Sequence, residues 1–145
     1  MKELNVKIIT VEDGKLPVYT REKDACLDCY ARVSELGVEI PAHSRCLVNL
    51  GFAMALPEDY EAVIRPRSGN TKNGIDIGTG TIDSNYRGEL KACVINNSDG
   101  PFRIETGDRI CQLAIREVPH INWIKVDKLD ETERGANGFG SSGVK

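Results

Sequence analysis

Residues Gly80–Val94, GTIDSNYRGELKACV, pass from a cluster of turn formers into a period-two run of Leu90, Ala92 and Val94. A period of two belongs to a strand with one buried face. The segment therefore reads as a tight turn between two strands, with a carboxylate, Asp83, set behind Ile82 and ahead of Tyr86 and Arg87. The same alternation recurs outward: Val6 and Ile8; Leu27, Cys29 and Ala31; Val38 and Ile40; Ala62 and Ile64; Cys111, Leu113 and Ile115. Turn clusters EDGKLP, PAHSR, LPEDY, SGNTKNG, NNSDGP and ETGD separate these runs, closely enough for an antiparallel sandwich or barrel. The one helical window is SGNTKNG, room for a single turn, with Ser68 placed to accept hydrogen bonds from the following amides. The fold expected is all-β with at most one short helix.

Composition bounds the function. A chain of 145 residues, 40% apolar, is the size of one domain. No apolar run approaches the ~20 residues of a membrane span, and MKELNVKIITVEDG lacks the unbroken apolar stretch and cleavage site of a signal peptide; the expected location is the cytoplasm. Five cysteines, an odd number, point to free thiols. Cys26 and Cys29 form a C-x-x-C without a second pair, and His43 and His120 show no zinc-finger spacing, so the cysteines read as small hydrophobes. A net charge of -3 argues against coating nucleic acid. Arg65, Arg67, Arg87, Arg109 and Arg134 nevertheless stand beside Gly, Pro or Asp in turn-like contexts, where a local anion site can form.

From about Asp127 the chain changes character, through DKLDETE into RGANGFGSSGVK. Residues 1–126 read as the core domain and 127–145 as a flexible Gly/Ser-rich arm. An arginine, a lone phenylalanine between glycines and two serines suit a closable lid: glycine-rich backbone offers amides to a phosphate and the ring offers a stacking face.

Four other stretches share this mixture of turns and polar side chains: ACLDCYA, RPRSGN, GTIDSNYRGE and GDRICQL. Singly each has an ordinary reading. Asp28 suits the outer face of a strand, Arg67-Ser68-Gly69 a capped turn, Gly107-Asp108 a hairpin turn, and Gln112 a solvent-facing position between Cys111 and Leu113. Together and in order they resemble the homotrimeric dUTPase family, the deoxyuridine triphosphate nucleotidohydrolases. Its five motifs match Ala25–Asp28 (A-x-x-D), Pro66–Gly69 (P-R-S-G), Gly80–Gly88 (G-x-I-D-x-x-Y-x-G), Gly107–Gln112 (G-D-R-I-x-Q) and Arg134–Gly143 (R-G-x-x-G-F-G-S-[ST]-G).

The resemblance implies a jelly-roll-like, distorted β-barrel and a Mg2+-dependent hydrolysis of dUTP to dUMP and pyrophosphate by water attack on the α-phosphorus. Such an activity limits uracil incorporation into DNA and supplies dUMP for dTMP synthesis. By match, Asp83 is the base that orients and deprotonates the water. Tyr86 packs under the deoxyribose and excludes a 2′-hydroxyl by a clash. The main chain from Gly78 to Tyr86, with Gly80 and Ile82, reads the uracil edge. Arg67, Ser68, Gly69, Gln112, Arg134, Gly140, Ser141 and Ser142 bind the substrate, chiefly its phosphates, and Phe139 stacks over the uracil. Asp28 reaches Mg2+ through the ion's water shell. Each site is implied to lie between subunits of a homotrimer, the third motif from one chain, the first, second and fourth from a neighbour, and the tail from the third.

The chain departs from the family pattern after Gly69, where SGNTKNGI is one residue shorter than the common form and Asn70 replaces leucine, and at Cys26 and Cys29. Three other readings compete, of which a non-enzymatic β-sandwich binding module would have no reason to carry five motifs in this order. A dCTP deaminase of similar fold needs a glutamate where counting on from Gly88 gives Cys93, and Glu89 is out of register. A dUTPase-like regulator would bind a protein partner in a nucleotide-dependent way; loss of catalysis would leave a changed Asp83, Arg134 or Phe139, and all three are present.

Overall fold

Most period-two runs become strands with one face turned inward, whereas the strand at Val6 and Ile8 begins at Lys7 and is exposed along its length. In the computed structural model, which describes residues 3–143, the elements run β1 (Lys7–Thr10), β2 (Leu27–Tyr30), β3 (Val38–Ile40), β4 (Ser44–Asn49), β5 (Phe52–Ala55), β6 (Tyr60–Arg65), α1 (Ser68–Thr71), β7 (Ile75–Gly78), β8 (Gly80–Ile82), β9 (Lys91–Asn96), β10 (Phe102–Ile104) and β11 (Arg109–Glu117). β9 shows the rule: Ala92, Val94 and Asn96 are buried while Lys91, Cys93 and Ile95 face outward. β5 does not alternate, because Phe52, Ala53 and Met54 are all buried. The core gathers Ile40, Leu50, Phe52, Ile64, Leu90, Ile104 and Leu113, each side chain contributing roughly 1.5–3 kcal/mol through burial.

Every strand pairing is antiparallel, in sheets ordered β2–β11–β6–β8, β4–β9–β7, β1–β5 and β3–β10. Strands remote in sequence are neighbours, β2 beside β11 and β4 beside β9, as a jelly-roll-like path requires. Among the described residues the sheets form no closed barrel. One buried side chain, Asn96, ties the NNSDGP turn to β3. Its amide donates to the carbonyls of Ile40, Pro41 and Gly100 at 3.0, 3.1 and 2.8 Å, and its oxygen accepts from Ser98.

Two local departures position the site. β7 and β9 pair only as far as Gly78↔Cys93; the chain then leaves that sheet, and β8 pairs with β6 through Ala62↔Ile82 and Ile64↔Gly80. The segment read as a tight turn is therefore the far end of a parted hairpin. Ile82 draws the first arm away because it packs on the core from the edge of the other sheet. In β11 the register slips between Arg109 and Cys111, so Ile110 and Cys111 are both buried. This bulge frees the Arg109 carbonyl from the ladder.

Beyond β11 the chain is exposed through Ile121, Trp123, Ile124, Val126 and Leu129, with Trp123 at 88%. Among the described residues no helix is long and apolar enough to cross a membrane.

Candidate active site

Asp28 is the centre of the first cluster. It is buried, and a buried carboxylate needs partners. Oδ1 accepts from Arg67 Nε at 3.0 Å, and Oδ2 from the Thr20 hydroxyl at 2.6 Å and Arg109 NH1 at 3.4 Å. Burial pushes the carboxyl up, but the Thr20 hydrogen bond and the charges of Arg67 and Arg109 outweigh it and hold Asp28 below its ordinary value of 3.8. Gln112 is the register partner of Asp28 on one side of β11 and of Arg65 on the other, and its amide donates to the Pro66 carbonyl at 3.3 Å. The bulge explains how Arg67 is aimed: its NH1 donates to the freed Arg109 carbonyl at 3.1 Å. The first, second and fourth motifs thus meet within one chain. Thr20 and Arg109 also belong to this cluster. Arg109 was visible as part of the fourth motif, whereas nothing in the sequence around Thr20 signals its contact.

The second motif opens α1, a single helical turn. Arg67, in extended conformation, is its N-cap, and no side chain caps it. Ser68 is the first helical residue rather than the cap expected, because the Arg67 carbonyl already accepts from the amides of Asn70 and Thr71 at 3.0 Å each. The shortened segment closes here, with Asn73 Nδ2 donating to the Gly69 carbonyl at 3.1 Å and Gly74 at φ +83°. A Cβ at Gly69 meets nothing within 4 Å. The chain's own packing makes no demand for glycine there.

The second cluster is the loop after β8. The edge of β8 away from β6 has no strand beside it among the described residues, so main-chain donors and acceptors of Gly80–Ile82 are left for another partner. The exposed Asp83 carboxylate takes no hydrogen bond among the described residues, while its carbonyl accepts from the Tyr86 amide at 3.1 Å. The loop is held from within by Arg87, which donates to the carbonyls of Ser84 and Tyr86. Tyr86 is 44% exposed, and its hydroxyl donates to the Glu89 carbonyl at 3.1 Å. Gly88 is needed for that pose, since a Cβ there would lie 2.3 Å from Tyr86 Oη and 2.6 Å from Cζ.

The two clusters do not meet in one chain. β2, carrying Asp28, and β8, leading into Asp83, are the outer strands of a four-stranded sheet, about 14 Å apart at ~4.8 Å per strand. Asp83 also lies level with Glu61, four residues from Arg65 on β6, a further ~13 Å along the strands. The tail joins neither cluster: Phe139 is fully exposed, Arg134 Nε donates to the Asn137 carbonyl, and the Ser141 amide donates to Gly138. Ser142 and Gly140 lie in the same run of turns.

The neighbouring Cys111 thiol and burial push the Cys29 thiol far up, so it stays protonated. All five cysteines are free, and no group of three potential metal ligands occurs among the described residues. Cys93 faces Gly78 across β7–β9, and Glu89 is engaged with Arg32 and the Gly51 amide. Neither is placed as a deaminating base.

Antiparallel sheets that carry two polar clusters at their loop ends define an all-β domain with a candidate active site, and comparison with known proteins gives the family. The dUTPase family model matches residues 12–143. The chain is 42% identical to the deoxyuridine 5'-triphosphate nucleotidohydrolase of Fusobacterium nucleatum, covering 99% of both chains. It is 44% identical to that of Rickettsia bellii, covering 98% of this chain and 96% of the other. Among solved structures, the Staphylococcus bacteriophage 80alpha dUTPase G164S mutant with dUpNHpp superposes with a TM-score of 0.89 at 25% identity, over 97% of this chain and 99% of that one. The chain belongs to the dUTPase family.

Proposed function

We propose that this chain hydrolyses dUTP to dUMP and pyrophosphate as a homotrimer whose sites are shared between subunits, with Asp83 as the base acting on the attacking water. The observation that carries the reading is the division of the motif residues into two clusters, one running from β2 across β11 to the turn after β6 and the other in the loop beyond β8. One is cationic and donor-rich, around Arg67, Gln112 and the open turn at Ser68 and Gly69, and suits phosphates. The other offers, among the described residues, an unpaired strand edge at Gly80–Ile82, an aromatic ring at Tyr86 and a free carboxylate at Asp83, and suits a base, a sugar and a water. A general base works within about 2.6–3.2 Å of the proton that it takes, so Asp83 must serve a phosphate cluster brought by another copy. The exposed apolar run Ile121–Leu129 supports association in the same sense, since such surface is normally covered.

Residues 1–126 act as the core and 127–145 as the arm, supplying Arg134, Phe139, Gly140, Ser141 and Ser142 on closure. The arm's hydrogen bonds are local, as a segment that docks only on ligand would make. Asp28 fits an outer-shell role toward Mg2+. Three of a carboxylate's roughly four lone-pair directions are occupied, one remains on Oδ1, and the flanking guanidinium groups disfavour direct contact with a bare cation. Bound Mg2+ would offset the charge of the phosphates that hold it. Free cysteines throughout favour a reducing, cytoplasmic setting. Hydrolysis is favoured over a mainly regulatory role because relatives covering nearly the whole chain at 42–44% are named nucleotidohydrolases.

The test is pyrophosphate release with Mg2+ on dUTP, UTP, dCTP and dTTP, with chromatography of the products. Release from dUTP with dUMP formed is expected. Conversion of dCTP to a uracil nucleotide, or no turnover of any of the four, overturns the reading.

A further inference from the structure

Glu89 follows the third motif directly, yet its side chain turns away from the loop into the body of the protein. Oε1 accepts from Arg32 Nε at 2.8 Å and from the Gly51 amide at 3.0 Å, and Oε2 accepts from Arg32 NH2 at 2.8 Å. Arg32 is pinned in turn: its amide donates to the Asn49 carbonyl at 2.8 Å, and NH1 reaches Glu12 at 2.9 Å. The two side chains are only 17% and 16% exposed. This is the two-pronged guanidinium–carboxylate arrangement, which fixes direction as well as distance. Arg32 holds the Glu89 carboxyl below its ordinary range, so the pair is ionised at neutral pH.

A largely buried pair of this kind adds little net stability over apolar residues of the same volume. Fixing geometry is the use it fits, and what it fixes is visible. The main-chain carbonyl of Glu89 is the acceptor for the Tyr86 hydroxyl, the ring lies against Gly88, and Leu90 is locked by main-chain hydrogen bonds with Leu50 and Phe52. Tyr86 itself is nearly half exposed and makes no other side-chain hydrogen bond among the described residues. The position of its ring therefore depends on where the Glu89 carbonyl stands.

We propose that Arg32 and Glu89 are positioning residues for sugar discrimination: they hold the Glu89 carbonyl that anchors Tyr86, and thereby set the gap between the Tyr86 ring and the 2′ position of the nucleotide. The inference rests on the dUTP reading above. Neither residue touches substrate. A ring free to swing leaves room for a 2′-hydroxyl, so loosening the pair raises turnover of the ribonucleotide relative to the deoxyribonucleotide.

Glu89→Gln keeps the size but removes one accepting oxygen and the charge; Arg32→Lys keeps the charge but removes the fork. The dUTP/UTP ratio of kcat/KM is expected to fall about tenfold or more in each, a loss of discrimination of the size a displaced contact gives. Gly88→Ala, which pushes the same ring without touching the ion pair, is expected to do likewise. In parallel, 3-fluorotyrosine labelling reports the ring directly, the Tyr86 fluorine line being identified by its absence in Tyr86→Phe; it should shift or broaden in Glu89→Gln and Arg32→Lys. A plain loop anchor would lower the melting temperature and leave both the ratio and the line unchanged, and that result overturns the proposal. So does loss of discrimination in Gly88→Ala alone. If the wild type fails to hydrolyse dUTP, the hydrolase reading falls, while the fluorine line still decides whether the pair positions Tyr86.

Discussion

Replacing Asp28 with asparagine tests the first cluster on stability and on chemistry at once. The carboxylate accepts three hydrogen bonds, two from guanidinium groups. The bond from Arg67, itself 29% exposed, is the substantial one at roughly 1.5–3 kcal/mol; the contact with Arg109, at 3.4 Å and 45% exposed, contributes under about 1 kcal/mol. An asparagine still accepts from Arg67 with its amide oxygen and turns its NH2 toward Thr20, so the net loss at pH 7 is about 2 kcal/mol, or roughly 4–8 °C in melting temperature for a chain of this size. The sign of the pH dependence follows from the depressed value. A carboxyl whose folded pKa is lowered stabilises fully above its unfolded value, near 3.8 here, and loses that contribution as pH falls through the folded one. Urea unfolding of both proteins from pH 7 to pH 3 should therefore show a gap that is constant down to about pH 4 and then closes. A gap unchanged at pH 3, or none at pH 7, would refute the account of what holds Asp28. Turnover with Mg2+ should fall in the same variant, and excess Mg2+ should restore part of it.

Asp83→Asn should leave melting within about 0.5 kcal/mol of wild type, because the side chain is exposed and unpaired among the described residues, while turnover drops roughly 10²–10⁴-fold and nucleotide binding by calorimetry persists; unchanged turnover would remove Asp83 as the base. Deleting Arg134–Lys145 should abolish turnover yet leave the circular dichroism melt intact, and an unfolded product would mean that the arm belongs to the core. Trp123, the single tryptophan and 88% exposed in the isolated chain, should emit at shorter wavelength at concentrations where light scattering reports a trimer and shift red on dilution to monomer. Constant emission across that transition would place the Ile121–Leu129 run outside the subunit contact.

Much of the fold was legible because its strands are half buried: Leu90, Ala92 and Val94, or Ala62 and Ile64, alternate visibly. β5 was not, since Phe52, Ala53 and Met54 are covered on both faces and carry no period. The parted hairpin was illegible for another reason. Local sequence marks a turn at Asp83–Arg87, but whether the arms stay paired is decided by Ile82 reaching the core beside β6, a contact between distant segments. Ser68 shows the limit of side-chain preference, since a hydroxyl suited to capping is bypassed when the preceding carbonyl is already in place. The motif residues could be named from their order along the chain. Their partners could not, because Thr20 beside Asp28, the Arg109 carbonyl beneath Arg67 and Arg32 across from Glu89 are joined by the fold alone.

The separation of the two clusters has a genetic reading. If each site takes Asp83 from one subunit and Arg67 from another, an allele lacking Asp83 and an allele lacking Arg67 are each null in a cell that carries only one of them. Expressed together they assemble mixed trimers, in which about a quarter of the junctions pair an intact Asp83 with an intact Arg67. Two silent genes would then support growth that neither supports alone, whereas two changes within one cluster, at Asp28 and Arg67, would never rescue each other, because every junction draws both residues from a single subunit and so lacks one of them.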